Sequence, residues 1–137
     1  MDLAVVSMGP DFGTFESVRE RFAVRHGLRV AGIAMRLLTP FPRAAVRQRL
    51  AGARAVLVVN QAHHHGRGHL TLDVADALAD LAEMPRVVSA FAGLGGADVS
   101  ESTWDAMLAH AGRALEGAAL PPWRMFHEGV ALEEGAR

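Results

Sequence analysis

Short, continuous apolar runs alternate along this chain with longer segments in which apolar residues recur every three or four positions. The short runs predict strands buried on both faces, and they cover residues 3–8, 28–35, 55–59 and 86–91. Each longer segment follows a strand and predicts an amphipathic helix. Four β-α repeats with short connections predict a three-layer α/β/α domain whose mainly parallel, four-stranded sheet has helices on both faces.

Glycine, proline and hydroxyl residues mark the ends of the predicted helices. The first helix is expected from Thr14, a capping residue, to His26, with Gly27 as its stop. The second helix opens at the prolines of residues 40–42 and stops at Gly52. The inner faces of the first three helices are predicted to carry Phe15, Val18, Phe22, Val46, Leu50, Leu70, Val74, Leu78 and Leu81.

The fourth helix has the most complete start signal. Ser100 can cap it, and Glu101 places a negative charge on its first turn, where the helix dipole favours one. Val99 and Trp104 have the spacing of a hydrophobic staple. A glycine-rich loop at 93–96 joins the fourth strand to this helix, so strand, loop and helix form one continuous unit.

Residues 1–117 are expected to form a single α/β domain, and residues 118–137 a tail of a different kind. Pro121 and Pro122 cannot continue the fourth helix. The apolar residues beyond them lack a clean period, so the tail is expected to pack on its own domain or on a partner.

Composition narrows the class of function. The 137 residues carry a net charge of −1, which does not indicate a nucleic-acid-binding surface. The sequence has no cysteine and no lysine, which excludes thiolate chemistry, cysteine-ligated clusters and a Walker-type phosphate lysine in this chain. No apolar run is long enough to span a bilayer, and no signal peptide is evident, so a cytoplasmic protein without membrane contact is expected.

Three motifs occur in order along the chain, one after the second predicted strand, one that ends the third and one after the fourth. They are Arg-Leu-Leu-Thr-Pro-Phe-Pro at 36–42, Val-Leu-Val-Val-Asn at 56–60 and Ala-Gly-Leu-Gly-Gly-Ala-Asp-Val-Ser at 92–100. Together they resemble the C-terminal, transketolase-C-like domain (domain II) of the α subunit in pyruvate and related 2-oxoacid:ferredoxin oxidoreductases. The resemblance runs from Leu3 to about Leu115, and it implies a transketolase C-terminal-domain-like sheet with the strand order 2-1-3-4.

The resemblance also implies an accessory domain that packs against catalytic subunits in a hetero-oligomer. In such enzymes thiamine diphosphate cleaves the 2-oxoacid, iron–sulfur clusters carry electrons away, and coenzyme A often takes the acyl group. This chain lacks the Gly-Asp-Gly signature that holds the diphosphate through a metal ion, and it is expected to start after the family's pyrimidine-binding domain. Thiamine diphosphate, Mg and iron–sulfur clusters are therefore expected in partner subunits, with no cofactor bound by this chain alone.

With the order 2-1-3-4, the connections that leave strand 1 diverge, and the carboxyl ends of strands 1 and 3 form the topological switch point. Free amides at the following helix start can hold an anion there, although tight turns also account for such glycines. The candidates for ligand binding at this crevice are Gly9, Asp11, Phe12, Gly13, Asn60 and His63.

Imidazole ligands come from the same region. His63, His65 and His69 are weak metal candidates, because adjacent histidines diverge and no carboxylate stands at a recognised metal spacing beside them. A solvated or interface loop is the favoured interpretation of this segment. No residue of the chain is assigned a catalytic role.

A second set of residues is expected at contacts with other subunits. The glycines of the 93–96 loop either adopt positive φ for packing or present backbone to a neighbouring subunit. Arg36 is suited either to bind an anionic group or to pair with an acid across a subunit boundary, and a structural ion pair is the favoured interpretation. The interface candidates are Arg36, Gly93, Gly95, Gly96, Asp98, Trp123 and Phe126.

The expected function is that of a non-catalytic subunit or domain of a thiamine-diphosphate-dependent 2-oxoacid:acceptor (ferredoxin) oxidoreductase, with an architectural role at subunit interfaces. The alternative is a free-standing small-ligand or metal-binding α/β protein that uses the crevice between strands 1 and 3.

Overall fold

Strands and helices alternate in the computed structural model, which describes residues 1–8, 12–35, 40–61, 68–93, 99–128 and 130–134. The elements in this part of the chain are β1 (Leu3–Met8), α1 (Phe12–His26), β2 (Val30–Met35), α2 (Arg43–Leu50), β3 (Ala55–Asn60), α3 (His69–Leu78), β4 (Arg86–Phe91), α4 (Glu101–Leu115), β5 (Arg124–His127) and β6 (Val130–Glu134).

The strands form one sheet in the order β2-β1-β3-β4-β5-β6. The first four strands pair in parallel and take the expected order. The described sheet is larger than the expected four strands, because β5 pairs in parallel with β4 and β6 pairs antiparallel with β5. Two strands thus form from tail residues whose apolar positions showed no clean period. The pairing of β5 with β6 is irregular between Met125 and Phe126, and the burial of side chains along β5 does not alternate, so the tail carries no regular strand pattern.

Helices cover both faces of the sheet. Side chains alternate along β1, so Leu3 and Val5 join α1 and α4 in one buried cluster. Ala4 and Val6 join α2 and α3 in the other cluster. Both faces of β1 and β3 are therefore buried, which explains their continuous apolar sequences. The three-layer α/β/α prediction is confirmed.

The helix boundaries follow most of the predicted signals. Ser100 caps α4, because its hydroxyl accepts a hydrogen bond from the backbone N–H of Thr103 at 3.2 Å. Gly27 and Gly52 have positive φ at the ends of α1 and α2, as the stop signals predicted. Leu81 is predicted on the third helix, but α3 ends at Leu78. Leu81 lies beyond this end and packs against the buried cluster that contains α2 and α3.

The predicted start of α1 at Thr14 is wrong, because the helix begins at Phe12. The ring of Phe12 packs against that of Phe15, with 4.9 Å between the ring centroids. It also lies over Gly32 of β2, where an added Cβ would come within 2.5 Å of both rings. Burial of Phe12 against a neighbouring strand therefore favours an earlier helical turn than the local capping signal indicates.

The start of β1 is held by the carboxylate of Asp2. Its Oδ2 accepts a hydrogen bond from the backbone N–H of Arg29 at 2.8 Å, and the guanidinium groups of Arg29 and Arg54 each lie 3.6 Å from the carboxylate. The pKa of Asp2 is lowered, mainly by this backbone hydrogen bond. Partial desolvation acts in the opposite direction, and the two arginines lower the pKa further.

We expect Asp2→Asn to lower the melting temperature at pH 7, and this deficit to shrink as the pH falls below about 3.9. The pKa of Asp2 is lower in the folded than in the unfolded chain. Its ionised form therefore stabilises the fold at neutral pH, and that contribution is lost as the pH falls through the folded pKa. Thermal unfolding of both proteins between pH 7 and pH 2 measures the effect, with Asp73→Asn on the exposed face of α3 as control. A deficit that is constant across this range would contradict the assignment.

Candidate functional site

The carboxyl ends of β1 and β3 lie side by side, because these strands are neighbours in the sheet. The chain leaves β1 through α1 on one face of the sheet, and α2 and α3 cover the other face. The connections therefore diverge between β1 and β3, which makes this edge the topological switch point that the strand order predicted.

Polar contacts join the two strand ends across the crevice. The amide Nε2 of Gln61, just after β3, donates to the carbonyl oxygen of Met8 at the end of β1, at 3.4 Å. The buried hydroxyl of Ser7 donates to the same carbonyl at 3.4 Å. Both hydrogen bonds are long and therefore weak, so a stronger donor or a metal ion would compete with them for the Met8 carbonyl.

The start of α1 opens next to this crevice. Phe12 is its first residue, and Gly13 is exposed on the first turn. A Cβ added at Gly13 would meet no atom within 4 Å, and Gly13 is not among the glycines of positive φ in the described ranges. Neither packing nor backbone conformation therefore requires glycine at this position. The predicted role of Phe12 and Gly13 in binding a ligand stays a prediction.

Asn60, the third described ligand candidate, is buried at the end of β3 with 4% of its surface exposed. Its Nδ2 donates to Oγ1 of Thr71 at 2.8 Å and to the carbonyl oxygen of Ala90 at 3.1 Å. Its Oδ1 accepts from the backbone N–H of Thr71 at 3.3 Å. The hydroxyls of Thr71 and Ser89 are 2.8 Å apart and complete the network. The carboxamide thus ties β3 to the first turn of α3 and to β4.

This network explains how α3 begins without a side-chain cap of its own. Gly68 occupies the N-cap position, and Asn60 supplies the acceptor for the first-turn N–H of Thr71. Gly68 has φ +92°, and a Cβ there would lie 2.4 Å from Oδ1 of Asn60. Glycine is therefore required at position 68 both by backbone conformation and by the close approach of the amide.

Sequence reasoning did not identify Gly68, Thr71 and Ser89 as members of this site. The available signal was the occurrence of hydroxyl residues at buried positions, Ser89 in the middle of an apolar strand and Thr71 among the inward positions of α3. Buried hydroxyls need partners, and Asn60 was the nearest polar candidate on a neighbouring strand.

Several predicted site residues lie outside the described residues: Gly9, Asp11, Arg36, His63, His65, Gly95, Gly96 and Asp98. The described metal candidate is His69, exposed at the first position of α3. Within the described ranges, no group of three or more His, Asp or Glu side chains is arranged to hold a metal ion.

In the same part of the chain, no helix has the length and apolar character needed to cross a membrane.

The described interface candidates occupy different environments. Gly93 has φ +70°, so glycine suits the turn that follows β4. Trp123 is half-buried and packs edge-on against Phe91, with 5.6 Å between ring centroids. Phe126 of β5 is buried and lies 5.5 Å from the ring of His110 on α4. Phe126 therefore faces the chain's own core.

The fold and the position of its crevice define a class, the transketolase C-terminal-like α/β/α domains. Residues 1–103 match the family model described as pyruvate:ferredoxin oxidoreductase core domain II. The chain belongs to this family, and its resemblance to 2-oxoacid:ferredoxin oxidoreductases is thereby confirmed.

Two solved structures share the fold. A split gene transketolase, described as an inactive β4 tetramer, superposes with a TM-score of 0.61 at 19% identity, over 84% of this chain and 38% of that one. A 2-oxoglutarate:ferredoxin oxidoreductase from Magnetococcus marinus, with 2-oxoglutarate, coenzyme A and succinyl-CoA bound, superposes with a TM-score of 0.50 at 19% identity. That alignment covers 84% of this chain and 17% of the oxidoreductase chain. A sequence comparison with curated proteins finds no match.

Proposed function

We propose that this domain is a non-catalytic part of a thiamine-diphosphate-dependent 2-oxoacid:ferredoxin oxidoreductase and that its role is architectural, at contacts between subunits. The observation that carries the proposal is the family match over residues 1–103. The sequence contains no cysteine, so the iron–sulfur clusters of such an enzyme would be bound by other subunits. Thiamine diphosphate and Mg are assigned to those subunits as well.

Three features of the described residues support a structural role. The amide of Asn60, which is at the switch point, forms hydrogen bonds within the chain. Gly93, in the turn after β4, and the half-buried Trp123, just before β5, are proposed contacts for a catalytic subunit together with Arg36, Gly95, Gly96 and Asp98. Phe126 would act indirectly, because its burial holds β5 against α4.

The test is to isolate the complex that contains this chain. A tag on the chain at its own locus allows purification from the native cells, with the tag alone as control. We expect native mass measurement to give a hetero-oligomer that contains thiamine diphosphate and iron and reduces a one-electron dye when a 2-oxoacid is added. A stable monomer or homo-oligomer without a thiamine-containing partner would contradict the proposal.

A second candidate function uses the crevice itself. Gly13 leaves open space at the start of α1, and the weakly held Met8 carbonyl adds an acceptor nearby. These features favour a free-standing protein that binds a small ligand or a metal at the crevice, with the carbonyl accepting from a ligand N–H or O–H or donating its oxygen to a metal. Calorimetry of the purified full chain with coenzyme A, nucleotides and divalent metals separates the two functions, because only this second function requires tight binding by the chain alone.

A further inference from the structure

The two outer strands of the described sheet, β2 and β6, differ in how their free edges are protected. Natural sheet edges are blunted by charges, prolines, bulges or short strands. β6 is only 5 residues long and pairs with a strand that is irregular between Met125 and Phe126. β2 has the sequence Val-Ala-Gly-Ile-Ala-Met, without charge or proline, and pairs with β1 along its 6 residues in unbroken register.

The free edge of β2 presents backbone groups that no described residue satisfies. The carbonyl of Arg29 accepts from the N–H of Leu3, so in the alternating parallel pattern the groups of Val30, Gly32 and Ala34 point away from β1. The Val30 carbonyl accepts from Nη1 of Arg19 at 3.1 Å. The outward N–H and C=O groups of Gly32 and Ala34 have no partner in the described part of the chain, and they suit a further strand.

An apolar groove runs beside this edge on the α2 face. It consists of two cavities of about 220 and 300 Å³ that share Ile33 and Arg49 in their lining. All the other lining residues are apolar or glycine. Ile33 is only half-buried although it faces α2. A strand paired with β2 would place alternate side chains over this groove.

The charge of the groove comes from Arg49. The other two arginines of α2 form ion pairs with α3, Arg43 with Asp76 at 3.3 Å and Arg47 with Asp80. Arg49 has neither an ion pair nor a hydrogen bond to any described residue, and its side chain is exposed where the two cavities meet. A carboxylate on the incoming strand would complement this guanidinium.

A second copy of the chain does not meet this requirement. Pairing two β2 edges about a twofold axis places both α2 helices on the same face of the joined sheet. The two Arg49 side chains, one from each α2 helix, would then lie on the same face beside the joined strands without an acid between them, and like charges repel. Charge complementarity therefore favours a different chain.

We infer that the edge of β2 receives an extended strand of a partner chain, with apolar side chains over the groove and an Asp or Glu at Arg49. Backbone hydrogen bonds to Gly32 and Ala34 provide the binding, and the groove and Arg49 select the side chains, as in other cases of strand addition. This inference holds whether or not the partner is a thiamine-dependent enzyme, because it rests only on the edge of β2.

The probe for this inference is the peptide acetyl-Thr-Val-Thr-Asp-Thr-Val-Thr-amide, whose two valines and aspartate share one face of a strand. It is titrated into the full chain, and amide hydrogen exchange is followed residue by residue. We expect slower exchange at Gly32 and Ala34. We also expect binding to be about two- to fivefold weaker with Asn in place of the Asp, the range for a surface ion pair. Arg49→Gln is expected to bring the two peptides to equal affinity, whereas Arg25→Gln, on the exposed surface of α1, is expected to preserve the difference.

Ala34→Pro supplies a second test, because it removes an outward N–H that β1 does not use. We expect this variant to keep its circular dichroism spectrum and to lose peptide binding. Unchanged exchange at Gly32 and Ala34 with millimolar peptide would overturn the inference, as would equal affinity of both peptides for the unmodified chain. A dimer of the full chain that protects the same two amides without peptide would also overturn it. If Ala34→Pro does not fold, the two peptides and the Arg49 variant decide the question.

Discussion

Trp104→Ala is expected to lower the free energy of unfolding by about 3–5 kcal/mol, the range for truncation of a large aromatic residue in a core. The side chain is fully buried on the first turn of α4, and its ring lies 5.1 Å from that of Phe15 on α1. Its removal leaves a cavity between the two helices of one layer. Urea unfolding followed by circular dichroism measures the loss, and fluorescence of Trp123, the remaining tryptophan, gives a second probe of the same transition.

Trp104→Phe is the matched control. The indole Nε1 is buried without a hydrogen-bond partner in the described part of the chain, so phenylalanine removes a polar group that the core does not satisfy. We expect less than half of the loss seen with alanine. Val24→Ala, at a side chain that is 79% exposed, is expected to change stability by no more than about 0.5 kcal/mol. A loss below about 1 kcal/mol for Trp104→Ala would mean that α1 and α4 are not held together by this residue.

The parts of the fold that sequence predicts well are those in which local and tertiary signals agree. β1 and β3 are buried on both faces, so their apolar runs are continuous and easily distinguished from amphipathic helices. The start of α4 at Ser100 is set by residues adjacent in sequence. The start of α1 is not set by neighbouring residues in sequence, because the ring of Phe12 packs over Gly32 on strand β2. The pairing of β5 depends on the free edge of β4, which no local pattern of the tail reveals.

The candidate site shows the same division. Topology alone predicts that the ends of β1 and β3 meet, since the strand order fixes the switch point. What Asn60 does there depends on Thr71 and Ser89, which lie 11 and 29 residues further along the chain. A polar residue at the end of a buried strand is typical of a ligand site, and a buried hydrogen-bond network produces the same pattern. The two can be distinguished only when the partners are placed in space.

Asn60→Ala is expected to lower the free energy of unfolding by about 2–4 kcal/mol, because the first-turn N–H of Thr71 and the carbonyl of Ala90 would lose a buried partner, each at about 1–3 kcal/mol. Gly68→Ala is expected to be destabilising as well, for two reasons that can be separated. Its φ of +92° strains any residue with a Cβ, and the Cβ would approach Oδ1 of Asn60 to 2.4 Å.

The double variant Asn60→Ala with Gly68→Ala distinguishes these reasons. Removal of the Asn60 amide relieves the steric conflict but leaves the backbone strain at position 68. We therefore expect the double variant to be less destabilised than the sum of the single variants, by about 0.5–3 kcal/mol, as is typical of residues in contact. Denaturant unfolding of the four proteins measures this coupling. Strict additivity would mean that Asn60 and Gly68 do not touch, and that α3 begins independently of the end of β3.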